Sequence, residues 1–123
     1  MQAWLSPSET SEVVEAISMT LNVAVADHKK AEFEGFMIML TKCEECVDKA
    51  NKFAGATKAK SIHIALLPTD SRSVKSYKIS LDEKVLNTIL VYKDKQVTAK
   101  FVNLTASKED QAKLRAAIAK AAN

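Results

Sequence analysis

The chain has little of what shapes irregular, extended or nucleic-acid-binding proteins. Its 123 residues include only two glycines, two prolines and two cysteines, which excludes a collagen-like repeat, a flexible linker and a small disulfide-dense scaffold. Arginine is scarce: sixteen of the 18 basic residues are lysine, the side chain less suited to bidentate contact with phosphates or base edges. Aromatic residues make up 6% and do not interleave with the lysines, so no base-stacking platform is visible. The uncharged run at residues 16–26 contains Ser18, Thr20 and Asn22 and falls well short of the roughly 20 apolar residues of a membrane span. Residues 1–7 have neither the basic nor the apolar segment of a signal peptide. The expectation is therefore no membrane span and no nucleic-acid partner. Localisation is open: cytoplasmic by default, exported if a signal peptide was trimmed.

What is present suits one soluble domain with a hydrophobic core: 47% hydrophobic and 27% charged residues. The net charge of +3 is unevenly spread. Residues 1–46 hold three basic and eight acidic side chains, and residues 47–123 hold fifteen basic and seven acidic. Such polarity could orient an acidic partner; the plainer reading is a lysine-rich solvated face.

Ser6, Pro7 and Glu9 form a helix-start signal: N-cap, first helical position and capping-box carboxylate. Val13, Val14, Ile17, Leu21, Ala24, Val25 and His28 then recur at helical spacing, which predicts a helix from about Pro7 to about Glu32. A competing reading makes Leu21, Val23 and Val25 one face of a short strand. After Gly35 the run Phe36-Met37-Ile38-Met39-Leu40 predicts a strand buried on both faces. Cys43-Glu44-Glu45-Cys46 follows, and Val47, Ala50, Phe53 and Ala54 mark a helix that Gly55 is expected to stop. Residues 61–67 read as a second buried strand parallel to the first, completing a βαβ unit. Residues 71–83 read as a short helix or turn with a loop. Residues 88–102 read as an antiparallel hairpin whose glycine-free turn asks for positive φ at Asp94 or Lys95. Ser107 and Asp110 open a closing helix, with Leu114, Ala117, Ile118 and Ala121 as its buried stripe.

One local pattern carries chemistry. Two intervening residues let Cys43 and Cys46 meet in a small-ring disulfide, and a helix N-terminus supplies unpaired amides that stabilise a thiolate at Cys43. Thiolate is the nucleophile of disulfide exchange. A CxxC also occurs as half of a zinc site or as a static disulfide, and its place in a βαβ unit is what favours redox chemistry.

From residue 35 onward the chain resembles the thioredoxin family, on the strand at 36–40, the Cys43/Cys46 motif, the terminal hairpin and the closing helix. The resemblance implies a single domain over 1–123, with 1–34 as an N-terminal helical extension and 35–123 as the core. It implies a mixed sheet of about four strands flanked by helices. It also implies that Cys43 attacks a partner disulfide and Cys46 resolves the intermediate. This sequence has Lys42 where the family usually has Trp, and Glu44-Glu45 where it has Gly-Pro. Asn87 stands at the position of the family's cis-proline, and a trans bond is expected there, since a cis bond costs about 3 kcal/mol without proline. Lys42 and the helix dipole favour a thiolate at Cys43; Glu44 and Glu45 disfavour it and would repel acidic substrates.

The reading is a thiol-disulfide oxidoreductase with Cys43 and Cys46 as the reacting pair and Lys42, Glu44, Glu45, Leu86, Asn87 and Thr88 lining a substrate groove. It needs no cofactor or metal. Its partners would be protein thiols or disulfides, met by a monomer. Two alternatives stand: a non-catalytic interaction module on the same fold, or a metal or iron-sulfur site made by Cys43 and Cys46 across a dimer. His63 is expected as a core or edge residue, His28 as a surface residue at a helix end, Met37 and Met39 as core filling, and Trp4 as packing of an N-terminal arm. No phosphate loop, catalytic carboxylate pair or Ser-His-Asp order is present.

Overall fold

An apolar run of five residues needs partners on both edges and cover on both faces, and β2 (Phe36–Thr41) has both. In a computed structural model that describes residues 1–122, β2 pairs in parallel with β3 (His63–Pro68) on one side and with β1 (Gln2–Leu5) on the other. Asn123, the last residue of the expected core, lies outside the described residues. Met37 and Met39 join one apolar cluster, while Ile38, Leu40 and Phe36 join another on the opposite face. The βαβ topology holds, but β3 is an edge strand with no buried residue, not the second buried strand expected, because only one of its edges has a neighbour.

The sheet has five strands rather than about four: with β4 at Asn87–Lys93 and β5 at Gln96–Val102, the order is β3-β2-β1-β4-β5. The additional strand is β1, and it lies in the middle of the sheet, not in an N-terminal arm. It runs antiparallel to β4 (Asn87–Lys93), with Leu5 opposite Asn87. Ala3 and Leu5 face one cluster and Trp4 the other. Gln2–Leu5 thus belong to the sheet itself, and α1 packs into the same cluster as β2 and β4, so this segment is not a peripheral extension. Four residues carry too short a pattern to announce a strand; ladder bonds to both neighbours and burial of Trp4 are what form it.

The expected helix start at Pro7 is corrected by the same observation. Ser6 closes a turn, accepting from Ser8 N at 3.1 Å on its side chain and from Glu9 N at 3.1 Å on its carbonyl. This turn lifts the chain off the end of β1. Helix α1 (Ser11–Asp27) then begins with Thr10 as N-cap, its Oγ1 accepting from Val13 N at 3.3 Å. It ends before Glu32, in a 3-10 turn at Lys29–Ala31, with Glu32 left-handed at φ 56°. Leu21 and Val25 belong to the helix, so the competing strand is absent.

Both crossovers step the same way across the sheet, so α1 and α2 (Glu44–Ala56) cover the same face, joined there by α4 (Lys108–Ala122). Gly55 does not stop α2, which continues through Ala56 and is capped at Thr57. Among the described residues the other face is covered by α3 (Arg72–Ser76) and the segment after it, through Val74 and Ile79 against Trp4, Ile38, Leu40 and Leu90. The hairpin of β4 and β5 (Gln96–Val102) turns on Asp94 and Lys95, both left-handed at φ 51° and 66°. That pair of positive angles is the turn conformation which matches strand twist. At α4, Ser107 Oγ accepts from Asp110 N at 3.1 Å as expected, while the Asp110 carboxylate accepts from Thr105 N and Oγ1 at 2.8 and 2.7 Å instead of from Ser107. No helix among the described residues is long and apolar enough to cross a membrane.

Candidate functional site

Parallel β2 ends at Thr41, and the chain must turn there to begin α2. Cys43 occupies the N-cap of α2 in an extended conformation (φ −155°, ψ 161°), the backbone an N-cap needs. Its Sγ accepts from Cys46 N at 3.1 Å, replacing the oxygen of an ordinary cap. One helical turn brings Cys46 back beneath it, with Cα atoms 5.1 Å apart and the two sulfurs bonded. Cys43 is exposed and Cys46 half-buried. The cysteine expected to act as nucleophile is therefore the more exposed residue of the two.

Lys42, Glu44 and Glu45 are exposed around the pair. Lys42, Cys43, Glu44 and Val47 line one side of a shallow cleft whose other side is Pro68, Thr69 and Asp70, at the end of β3. Glu45 lines no cleft with them. Behind Cys46 lies a small pocket walled by Leu5, Val14, Met39 and Leu40.

Leu86, Asn87 and Thr88 do not border the sulfurs. They line a neighbouring cavity of about 210 Å³ together with Trp4, Ser6, Leu40 and Lys42. Lys42 and Thr69 border both spaces and connect them. The cavity sits where the chain leaves central β1 towards β2 on one side while β4 lies on the other, the kind of crevice where open α/β sheets bind ligands. The loop there, residues 6–10, carries no cysteine; the disulfide caps the adjacent strand.

Asn87 has a second role besides lining that cavity. It is 2% exposed, and its amide is committed internally: Nδ2 donates to Glu9 Oε2 at 2.7 Å and to Leu104 O at 3.0 Å, while Oδ1 accepts from Leu104 N at 3.0 Å. Glu9, 4% exposed, also accepts from Thr10 N at 2.8 Å on Oε1. Asn87 thus ties the loop after β1 to the loop after β5. The backbone holds no cis peptide bond among the described residues.

Trp4, Ser6 and Pro68 to Asp70 were absent from the sequence-based groove. Their only signal is topological, since it depends on β1 lying beside β2. His63 stands exposed on edge strand β3, stacked on Phe36 with ring centroids 4.9 Å apart. His28 caps the end of α1, edge-on to Phe33. Among the described residues no group of three or more His, Cys, Asp or Glu side chains could hold a metal ion, so a metal on Cys43 and Cys46 would need ligands from another molecule.

No protein-family model and no curated protein matches the chain. A crystal structure of a protein assigned as the thiol:disulfide interchange protein DsbE from Chlorobium tepidum is similar in fold, with a TM-score of 0.76 at 15% sequence identity. The likeness covers 99% of this chain and 78% of that one. The fold is thioredoxin-like: α/β, with a mixed five-stranded sheet flanked by helices.

Proposed function

We propose that the chain is a thiol-disulfide oxidoreductase whose reacting pair is Cys43 and Cys46, with protein thiols and disulfides as partners. The observation that carries this reading is a bonded, solvent-reachable cysteine pair at the first turn of a helix. In the reduced protein, the Cys46 N–H and the open amides of α2 favour the Cys43 thiolate. That thiolate attacks one sulfur of a partner disulfide, forming a mixed disulfide and releasing the other partner sulfur, which takes up a proton. Cys46 loses its proton and attacks Cys43 Sγ, restoring the Cys43–Cys46 bond and freeing the second partner thiol. In sum the protein dithiol gives up two electrons and two protons, and the partner disulfide takes both. Run backwards, the oxidised protein oxidises a partner dithiol. Both directions use only thiol chemistry.

The absence of cysteine from the crevice at the end of β1 supports a second reading, a thioredoxin-like fold used for binding, with the Cys43–Cys46 bond inert. Dithiothreitol-driven insulin reduction separates the two. Turnover well above that of Cys43→Ser supports the oxidoreductase; turnover equal to that variant discards it. A redox titration of the pair then sets direction, since a potential near about −270 mV suits a reductant and one near about −120 mV an oxidant.

A further inference from the structure

The cavity beside the disulfide has a floor and a rim of different character. Trp4, Leu40 and Ile79 form an apolar floor, all three buried. Asp82 and Glu83 stand exposed at the rim. At about 210 Å³ the space is below the roughly 300–1,000 Å³ of ordinary small-molecule pockets, and it suits a single long side chain. Of the charged residues lining this cavity and the cleft at Cys43, only Lys42 is basic; Glu44, Asp70, Asp82 and Glu83 are acidic. The local sign is thus opposite to that of the whole molecule, whose net charge is +3.

We infer that this groove selects polypeptides carrying lysine or arginine beside the reacting cysteine. The aliphatic stem lies on Trp4, Leu40 and Ile79, and the cationic head reaches the Asp82 and Glu83 carboxylates. Long basic side chains divide themselves in this way between apolar surface and water. A leucine would use the floor and leave the rim unpaired; a glutamate would meet like charge. Asp82 is held in place by its own loop, Oδ1 accepting from Lys84 N at 2.8 Å, and a carboxylate has capacity for further donors. The assignment of the cysteine neighbour rests on the exchange reading, because it takes the partner sulfur to be at Cys43.

Two measurements keep the selectivity and the exchange reading apart. Trp4 is the sole tryptophan and a wall of the cavity, so its fluorescence reports occupancy without any redox step. The oxidised full chain is titrated with nonapeptides in which serine replaces cysteine and the neighbour is Arg, Leu or Glu. The Arg peptide is expected to bind about tenfold tighter than the Glu peptide and about threefold tighter than the Leu peptide, the scale of a few screened surface charges. Asp82→Asn combined with Glu83→Gln keeps the Asp82 turn acceptor and is expected to cut the Arg advantage below about twofold. The second measurement follows exchange of the reduced protein with cysteine peptides carrying thionitrobenzoate, and with neutral bis(2-hydroxyethyl) disulfide as reference. The double variant should lose the Arg preference in rate and keep the wild-type rate on the reference. Equal binding of the three peptides, a preference for Leu, no fluorescence response, or an Arg advantage surviving in the double variant overturns the inference. Selective binding with no exchange on any disulfide supports the selectivity and removes the exchange reading instead.

Discussion

At Cys43 two electrostatic influences meet on one sulfur. The N-terminus of α2 and Lys42 favour negative charge there, and Glu44 and Glu45, in the first turn of the same helix, oppose it. Both carboxylates are exposed, so water and salt weaken their effect. Replacing them together (Glu44→Gln, Glu45→Gln) is expected to raise the alkylation rate of reduced Cys43 at neutral pH about two- to threefold at low salt and less at high salt. Iodoacetamide kinetics over a salt series check this; a rate that does not move means the two charges are already fully screened. Asn87 is a residue of the opposite kind, buried and fully bonded. Asn87→Ala removes the partner of Glu9 Oε2 and of both polar groups of Leu104, and should cost about 2–3 kcal/mol, measured by urea unfolding. The cysteines could be read as a candidate site from their spacing together with their place between a strand and a helix. The role of Asn87 could not, because its partners Glu9 and Leu104 lie 78 and 17 residues away.

Among the elements, the hairpin and the closing helix match expectation, each on a local signal. The hairpin was legible from two alternating runs around a polar turn, and its cost lies in side chains at positive φ. Lys95→Gly should stabilise by about 0.5–1 kcal/mol, since glycine adopts the left-handed region without penalty; a shift in thermal midpoint with unchanged circular dichroism is the check. The closing helix was legible from Ser107 and its stripe. Its cap adds a pH dependence: hydrogen bonds from Thr105 Oγ1 and N hold the Asp110 carboxyl below its ordinary 3.8. A lowered value means that the ionised form contributes stability above about 3.8 and loses it as pH falls through the folded-state value. Asp110→Asn should therefore flatten the acid limb of the stability–pH curve below pH about 4 and leave its shape near neutrality unchanged. Urea midpoints from pH 2.5 to 7 measure it. The start of α1 was misplaced by four residues because Ser6, Pro7 and Glu9 mimic a helix cap while serving a turn; only the need to leave the sheet after Leu5 distinguishes the two.

At the scale of the molecule, neither cysteine belongs to the two apolar clusters that hold the sheet. The disulfide closes a ring of sequence separation 3, and such a short loop removes little freedom from the unfolded chain. Reduction is expected to lower stability by about 2 kcal/mol at most and to leave the far-ultraviolet spectrum unchanged, compared by urea unfolding with and without dithiothreitol. A chain that unfolds on reduction would make the bond a structural staple and contradict the proposed exchange. Both redox states must persist for the sulfurs to cycle.

By itself the sequence determined the alternation of strand and helix, the parallel pair around the cysteine-bearing helix, and the place of Cys43 at that helix's first turn. Each follows from patterns within about ten residues, the range over which periodicity and capping act. Only the tertiary structure decided that Gln2–Leu5 is the middle strand, that Asn87 ties two loops together, and that the groove is two connected spaces joined at Lys42 and Thr69. Those features are made by contacts between distant segments. A four-residue strand becomes the centre of a sheet through the ladders and side chains on either side of it, and nothing inside the four residues carries that information.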